Sequence, residues 1–207
     1  MKTNTFKIGI TGGIGSGKSI ICRVFQNLGI PVYDADSRAK WIVNNHPDLR
    51  KELIAEFGQE AYDANGNYNR AYMAQQVFND GNRVKVLNQL IHPRVGQDFL
   101  DWSNQNAQAP YLLKEAALMF ESGSYLALNK VITVFAPNEV RIKRILKRDP
   151  FRSEDQIKAI FGKQLAEDEK MKRADFVVNN DDQHLVIPQV LSLHAQFLKF
   201  ATKQNER

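Results

Sequence analysis

Hydrophobic positions along the chain alternate between short runs of period two and longer stretches of period near 3.6. Phe6, Ile8 and Ile10 occupy every second position and predict a strand. Ile21, Val24, Phe25 and Leu28 then recur at helical spacing and predict one apolar helix face, with Gly29 as its stop. Further strands are predicted at residues 30–33, ending in Asp34-Ala35-Asp36-Ser37, and at 111–116, 131–135 and 176–179. Residues 185–200 predict a final helix packed on the sheet, with a polar, frayed end. Short apolar strands separated by helices predict an α/β fold: a parallel five-stranded sheet with helices on both faces, and ligands at the carboxyl ends of the strands.

Two long helical excursions interrupt this pattern. In the first, Pro47 opens a helix that ends near Phe57-Gly58, Asn65-Gly66 marks a turn, and Asn69 caps a helix running toward Phe78. A further helix is expected to reach Ile91-His92 and to break at Pro93. In the second, Ser153 and Gln156 form a capping box for the second helix. The expected organisation is one domain, with a core at about 1–39, 107–137 and 174–207, a helical substrate-covering insertion at about 40–106 and a helical excursion at about 138–173. There are no internal repeats and no low-complexity tract.

Composition narrows the class. The 207 residues suffice for one α/β domain with an inserted subdomain; 43% apolar and 25% charged residues are ordinary for a soluble globular protein, and no apolar run reaches membrane-spanning length. The formal charge of +5, from 28 Lys+Arg against 23 Asp+Glu, suits polyphosphate ligands as well as it suits nucleic acid. No RNA-binding aromatic signature, Cys/His metal spacing or long basic tail accompanies it, so neither a nucleic-acid nor a membrane partner is expected. Met1-Lys2-Thr3-Asn4-Thr5 leads into the first strand without an apolar signal region, and Cys22, the only cysteine, cannot form an intrachain disulfide. A reducing cytoplasm is the expected compartment, with Cys22 packing on the first helix as a small apolar residue.

The chemistry begins at Gly12-Gly13-Ile14-Gly15-Ser16-Gly17-Lys18-Ser19, a complete G-x-x-x-x-G-K-[ST] phosphate-binding loop between the first strand and the first helix. Its glycines let successive N–H groups turn toward phosphate oxygens, and the following helix adds the positive end of its dipole. Lys18 supplies a charge to the β- and γ-phosphates, and the Ser19 hydroxyl can hold Mg²⁺. A guanine-specific GTPase does not fit: Asn129-Lys130-Val131-Ile132 lacks the aspartate and precedes a strand, and Asp63-Ala64-Asn65-Gly66 follows no strand.

Asp34 and Asp36 close the second strand, where a doubly wound fold brings carboxylates toward the γ-phosphate. One of them can accept the proton of an attacking hydroxyl, Asp36 being preferred; the other use of Asp here is to cap a helix starting near Ser37. Arg141, Arg144 and Arg148 share one helix face. That face is either a solvated surface or a mobile helix that closes over ATP. Glu115 and Glu121 flank the end of the third strand, and either can orient Mg²⁺. His92 can touch substrate or simply cap a helix end.

Taken together, Gly9-Ile10-Thr11-Gly12-Gly13-Ile14-Gly15-Ser16-Gly17-Lys18-Ser19 and Leu28-Gly29-Ile30-Pro31-Val32-Tyr33-Asp34-Ala35-Asp36 closely resemble the opening of the dephospho-CoA kinases, P-loop kinases. Similar stretches follow in order: Phe57-Gly58, Asn65-Gly66 with Arg70, Val77-Phe78, Ile91-His92-Pro93, Leu118-Met119-Phe120-Glu121, Arg144 with Arg148-Asp149, Gln164, and the run from Ala174 to Asn180. The resemblance implies a P-loop NTPase core with a helical CoA-binding insertion and a helical lid. The activity it implies is ATP-dependent, Mg²⁺-assisted phosphorylation of the ribose 3′-hydroxyl of dephospho-CoA, the last step of coenzyme A synthesis. It further implies ATP contacts from Gly13, Ile14, Gly15, Ser16, Gly17, Lys18, Ser19 and the backbone N–H of Ile20, which stands where the family usually has threonine. Asp36 or Asp34 is then the base, Arg144 and Arg148 are lid residues, and Asp36, Arg70 and His92 meet the substrate. A monomer or weak homo-oligomer acting on small molecules is expected. The segment around Ala117-Leu118-Met119-Phe120-Glu121 departs from the Pro-Leu-Leu-Phe-Glu of many members and follows an unusual Lys114-Glu115. The competing readings are another small-molecule kinase of the same fold and a macromolecule-binding ATPase that uses nucleotide as a switch.

Overall fold

Alternation within the strands sets the architecture. In β1 (Phe6–Thr11), Phe6, Ile8 and Ile10 face one side of the sheet and are buried, while Gly9 faces the other, where a Cβ would collide with Met119 and Leu128. The computed structural model describes residues 5–78 and 80–205. Met1-Lys2-Thr3-Asn4, expected to lead into β1, lies outside the described residues.

Four more strands join β1: β2 (Val32–Asp34), β3 (Tyr111–Glu115), β4 (Lys130–Phe135) and β5 (Phe176–Asn179). All pairings are parallel, in the order β2-β3-β1-β4-β5, so all five carboxyl ends share one edge. On the Phe6 face, α1 (Lys18–Asn27) and α9 (Val186–Asn205) cover the sheet. Ile21 and Phe25 of α1, Val190 and Phe197 of α9, and Tyr111, Ile132, Val134 and Val178 of the strands form a core with no measurable exposure. Phe197 makes ring contacts with Phe25, Tyr111 and Phe176, so truncating it to Ala costs about 3–5 kcal/mol. The C-terminal helix runs to Asn205 rather than ending near residue 200, because buried Ala201 extends its packed face by another turn.

The chain divides into two compact units, Met1–Asp34 with Ser103–Arg207, and Ala35–Trp102. The second contains α2 (Ala35–Asn45), α3 (Pro47–Phe57), α4 (Arg70–Val77) and most of α5 (Gly81–Gln105). Leu49, Leu53, Phe57, Ala61, Met73 and Phe99 form its interior. Pro47 opens α3 as expected, with the His46 ring accepting the Leu49 N–H, and Asn69 caps α4 by accepting the Tyr72 N–H at 3.1 Å.

The break expected at Pro93 does not occur: α5 continues through it. The Arg94 guanidinium donates to the Leu90 carbonyl at 2.9 Å, supporting the turn that the proline weakens, and buried Val95 and Phe99 hold the second half in place. His92 is therefore a mid-helix residue, not a cap.

In the first unit, β4 is followed by α6 (Asn138–Arg148), α7 (Glu154–Gly162) and α8 (Glu167–Arg173). The capping box is present, with Gln156 N–H to Ser153 Oγ at 3.3 Å and Ser153 N–H to Gln156 Oε1 at 3.1 Å. The arginine face of α6 is not a free face: Arg141 is only 2% exposed and Ile145 1%. No helix among the described residues is long and apolar enough to cross a membrane.

Candidate active site

The loop from Gly12 to Gly17 leaves β1 and turns directly into α1. Gly15 and Gly17 hold φ of +82° and +91°, a region that favours glycine, and a Cβ at Gly17 would collide with the Asn180 amide. The loop is braced internally by Ser16 N–H to Gly13 oxygen at 3.1 Å and by Ile20 N–H to Gly17 oxygen at 3.0 Å. The Lys18 ammonium lies back across the loop, donating to the Gly12 oxygen at 2.9 Å and the Gly13 oxygen at 3.5 Å. The Ser16 hydroxyl is buried inside the curl without a hydrogen-bond partner. The Ile20 side chain is exposed, so only its backbone belongs to the loop.

The structure separates the two glutamates that sequence left open. Ser19 Oγ donates to Glu115 Oε1 at 3.0 Å, and Glu115, the last residue of β3, is buried. Its register partners are Ile10 on one side and Asp34 on the other. Glu121 is exposed and instead accepts the Leu165 N–H at 2.7 Å. Cys22 lies beneath this pair: burial pushes its thiol well above the ordinary range, and the charge of Glu115 and a hydrogen bond to it push the same way. Lys114 is also buried, and burial lowers its pKa.

A hydroxyl beside a buried carboxylate, with Asp34 opposite Glu115 in the strand register, is a hard oxygen donor set that fits Mg²⁺. Among the described residues no group of three or more His, Cys, Asp or Glu side chains is placed to hold a metal alone. Such an ion must therefore take its other ligands from phosphate and water. Asp34 ends β2 exposed. Asp36 is also exposed, inside the first turn of α2; that helix starts at Ala35 rather than near Ser37. Asp36 is thus not the N-cap, and its charge lies at the positive end of the helix.

The α6 arginines have three different environments. Arg141 Nε donates to the Ile14 oxygen at 2.9 Å, and burial lowers the pKa of this guanidinium although Glu167 opposes the shift. Arg144 reaches Asp182 at 2.6 Å and, at 3.4 Å each, the Ser16 oxygen and Asn180 Oδ1. Arg148 is the exposed one, 60% at its side chain, and its fork lies on Asp149; that hydrogen bond raises the Arg148 pKa and lowers the Asp149 pKa. Sequence reasoning missed the contacts of Gln164 and Asn180 to the loop, Gln164 Oε1 to Ile14 N–H at 3.0 Å and Asn180 Nδ2 to the Ser16 oxygen at 2.7 Å. The only sequence signal for them was their place in family-like stretches.

Arg70 and His92 belong to the second unit. Arg70 is the first residue of α4, His92 lies within α5, and both are exposed.

Comparison with known proteins agrees with this architecture. The dephospho-CoA kinase family model matches residues 6–185. Dephospho-CoA kinase of Bacteroides fragilis is 38% identical over 189 residues, 91% of each chain. That of Aggregatibacter actinomycetemcomitans is 36% identical over 208 residues, covering 98% of this chain and all of its own. Among solved structures, TT1252 from Thermus thermophilus superposes with a TM-score of 0.75 at 32% identity, and dephospho-CoA kinase from Campylobacter jejuni with 0.63 at 26%, each covering 97% of this chain and 95% of its own. The phosphate loop, the five-stranded parallel sheet and these relatives agree: the chain belongs to the dephospho-CoA kinase family, ATP-dependent enzymes of the final step of coenzyme A biosynthesis.

Proposed function

We propose that the chain transfers the γ-phosphoryl group of ATP from the loop at residues 12–19 to the ribose 3′-hydroxyl of dephospho-CoA, releasing coenzyme A and ADP. The observation that carries this reading is the Ser19–Glu115 pair at the carboxyl edge of the sheet, directly after the phosphate loop. Inward-facing backbone N–H groups of the loop, with Lys18, cradle the phosphates, while the Ile14 N–H donates instead to Gln164. Ser19 and Glu115 hold Mg²⁺, which when bound neutralises charge on the phosphate oxygens. Asp36 accepts the proton of the 3′-hydroxyl and contacts the acceptor, and Asp34 shapes the metal side next to Glu115. Arg144 and Arg148 act from a lid at 138–173, where they offset charge on the group in transit. Arg70 and His92 bind dephospho-CoA on an insertion at 40–106. The enzyme works in the cytoplasm on small molecules, as a monomer or weak homo-oligomer, without nucleic acid or membrane.

A coupled ADP-release assay over a panel of hydroxyl acceptors, run with and without Mg²⁺, tests this. Release is expected with dephospho-CoA and Mg²⁺ and only at background with nucleosides or other metabolite hydroxyls. Transfer to another acceptor makes the chain a different small-molecule kinase. Release driven by nucleic acid or protein, with steep salt dependence, makes it a switch ATPase.

A further inference from the structure

The segment after β4 grips the phosphate loop at Ile14 from two directions, through Arg141 on α6 and Gln164 in the turn between α7 and α8. Gln164 Oε1 accepts the Ile14 N–H at 3.0 Å, and Arg141 Nε donates to the Ile14 oxygen at 2.9 Å. These groups belong to successive peptides, and a trans peptide points its C=O and its N–H in opposite directions. Holding the Ile14 N–H outward leaves the Gly13 oxygen facing the loop interior, where it accepts from Ser16 N–H at 3.1 Å and Lys18 Nζ at 3.5 Å. Holding the Ile14 oxygen outward turns the Gly15 N–H the opposite way. Gly15 sits at φ +82° without a side chain to restrain it, so its orientation depends on what holds the neighbouring oxygen.

Arg141 is itself fixed on every side. It is 2% exposed, its Cζ lies 3.9 Å from the Phe161 ring centroid, and Nη1 meets Asn138 Oδ1 and Glu167 Oε1, both at 3.2 Å. The same Glu167 oxygen accepts from Lys170 Nζ at 3.0 Å, and Lys170 has no exposure. A Cβ at Gly13 would fall on the Arg141 guanidinium and the Glu167 carboxylate, so the loop backbone lies flat against this cluster. Two features argue against a purely stabilising role. The second Glu167 oxygen is buried without a partner, and two cations share one carboxylate, which leaves a surplus positive charge in low-dielectric surroundings beside the loop.

We propose that Arg141 and Gln164 are positioning residues for phosphoryl transfer: they lock the two peptides flanking Ile14 so that the loop presents one fixed set of donors to the nucleotide, with Glu167 and Lys170 holding Arg141 in place. This rests on the reading of the loop as the ATP site.

Three variants test it. Gln164→Leu breaks one loop contact and no ion pair. Arg141→Gln removes the guanidinium. The triple Arg141→Met/Glu167→Leu/Lys170→Met replaces the buried charges together, a change that often leaves stability intact. KM for each substrate, calorimetric binding of a non-hydrolysable ATP analogue, and melting are measured for each. The expected result is at least about 10-fold weaker analogue binding and higher KM for ATP in all three, with KM for dephospho-CoA within about two-fold of wild type. Arg141→Lys, which can still donate to the Ile14 oxygen, is expected to recover part of the loss. Wild-type analogue affinity in Gln164→Leu, or in a triple variant that melts like wild type, overturns the proposal. Should the triple fail to fold, Gln164→Leu decides alone. Failure of the underlying reading is separate and visible in the wild type, which would then neither bind the analogue nor release ADP.

Discussion

Ser19 donates its hydroxyl proton to Glu115 at 3.0 Å, joining the last residue of the phosphate loop to the buried end of the neighbouring strand. If this pair holds Mg²⁺, Glu115→Gln removes the charge while keeping the shape. The expected outcome is a raised Mg²⁺ requirement and a kcat lower by on the order of 10², against near wild-type kinetics for Glu121→Gln. Mg²⁺ titration of the two variants side by side checks it.

Lys18 bridges its own loop through the Gly12 and Gly13 oxygens, and it is the residue expected to meet the β- and γ-phosphates. Lys18→Ala is expected to remain folded and to lose phosphoryl transfer by on the order of 10³ or more, because charge stabilisation carries most of this chemistry. Circular dichroism with single-turnover kinetics is the measurement, and near wild-type turnover contradicts the assignment.

Arg144 and Arg148 should separate stability from turnover. The partners of Arg144 are the Ser16 oxygen, Asn180 and a largely exposed Asp182, so Arg144→Ala is expected to cost about 1 kcal/mol or less and a few degrees of melting temperature. Arg148, on the exposed end of α6, should cost less still. Both should lower kcat more than they lower stability. A large melting shift with unchanged kcat makes them structural instead.

The parts of the fold readable from sequence were those set by local chemistry. Strand alternation at Phe6, Ile8 and Ile10, the loop glycines, the Asn69 cap and the Ser153–Gln156 box each depend on residues close in the chain, and all are present. The break expected at Pro93 follows a local rule that Arg94 and the packing of Val95 and Phe99 override. Arg141 looked like one position on a charged helix face, but its partner Ile14 lies 127 residues earlier. The choice between Glu115 and Glu121 depended on the β3 register against β1 and β2, which no local pattern specifies.

Acid should loosen the turn after β5. Partial burial pushes the Asp181 carboxyl up, but hydrogen bonds from the His184 and Gln183 N–H groups and the His184 ring outweigh it and leave the pKa at about 2, against an ordinary 3.8. A depressed carboxyl pKa contributes stability that is complete above the unfolded value and is lost as pH falls through the folded one. Wild type is therefore expected to lose stability between about pH 4 and pH 2. Asp181→Asn should be flatter across that window, as read from denaturant melts at a series of pH values; identical slopes contradict the assignment.

Asp36 and Asp34 carry the prediction closest to the chemistry. Asp36 sits in the first turn of α2 rather than at its N-cap, and Asp34 pairs in register with Glu115, so the two carboxylates stand in different settings two residues apart. Asp36→Asn keeps size and removes charge. If Asp36 accepts the proton of the acceptor hydroxyl, ATP affinity should hold while kcat falls by about 10² to 10⁴. Asp34→Asn should instead raise the Mg²⁺ requirement, since its register partner across the sheet is the glutamate bound to Ser19. Full turnover in Asp36→Asn with none in Asp34→Asn moves the base to Asp34. Full turnover in both means that neither carboxylate takes the proton, leaving the acceptor hydroxyl activated by positioning alone.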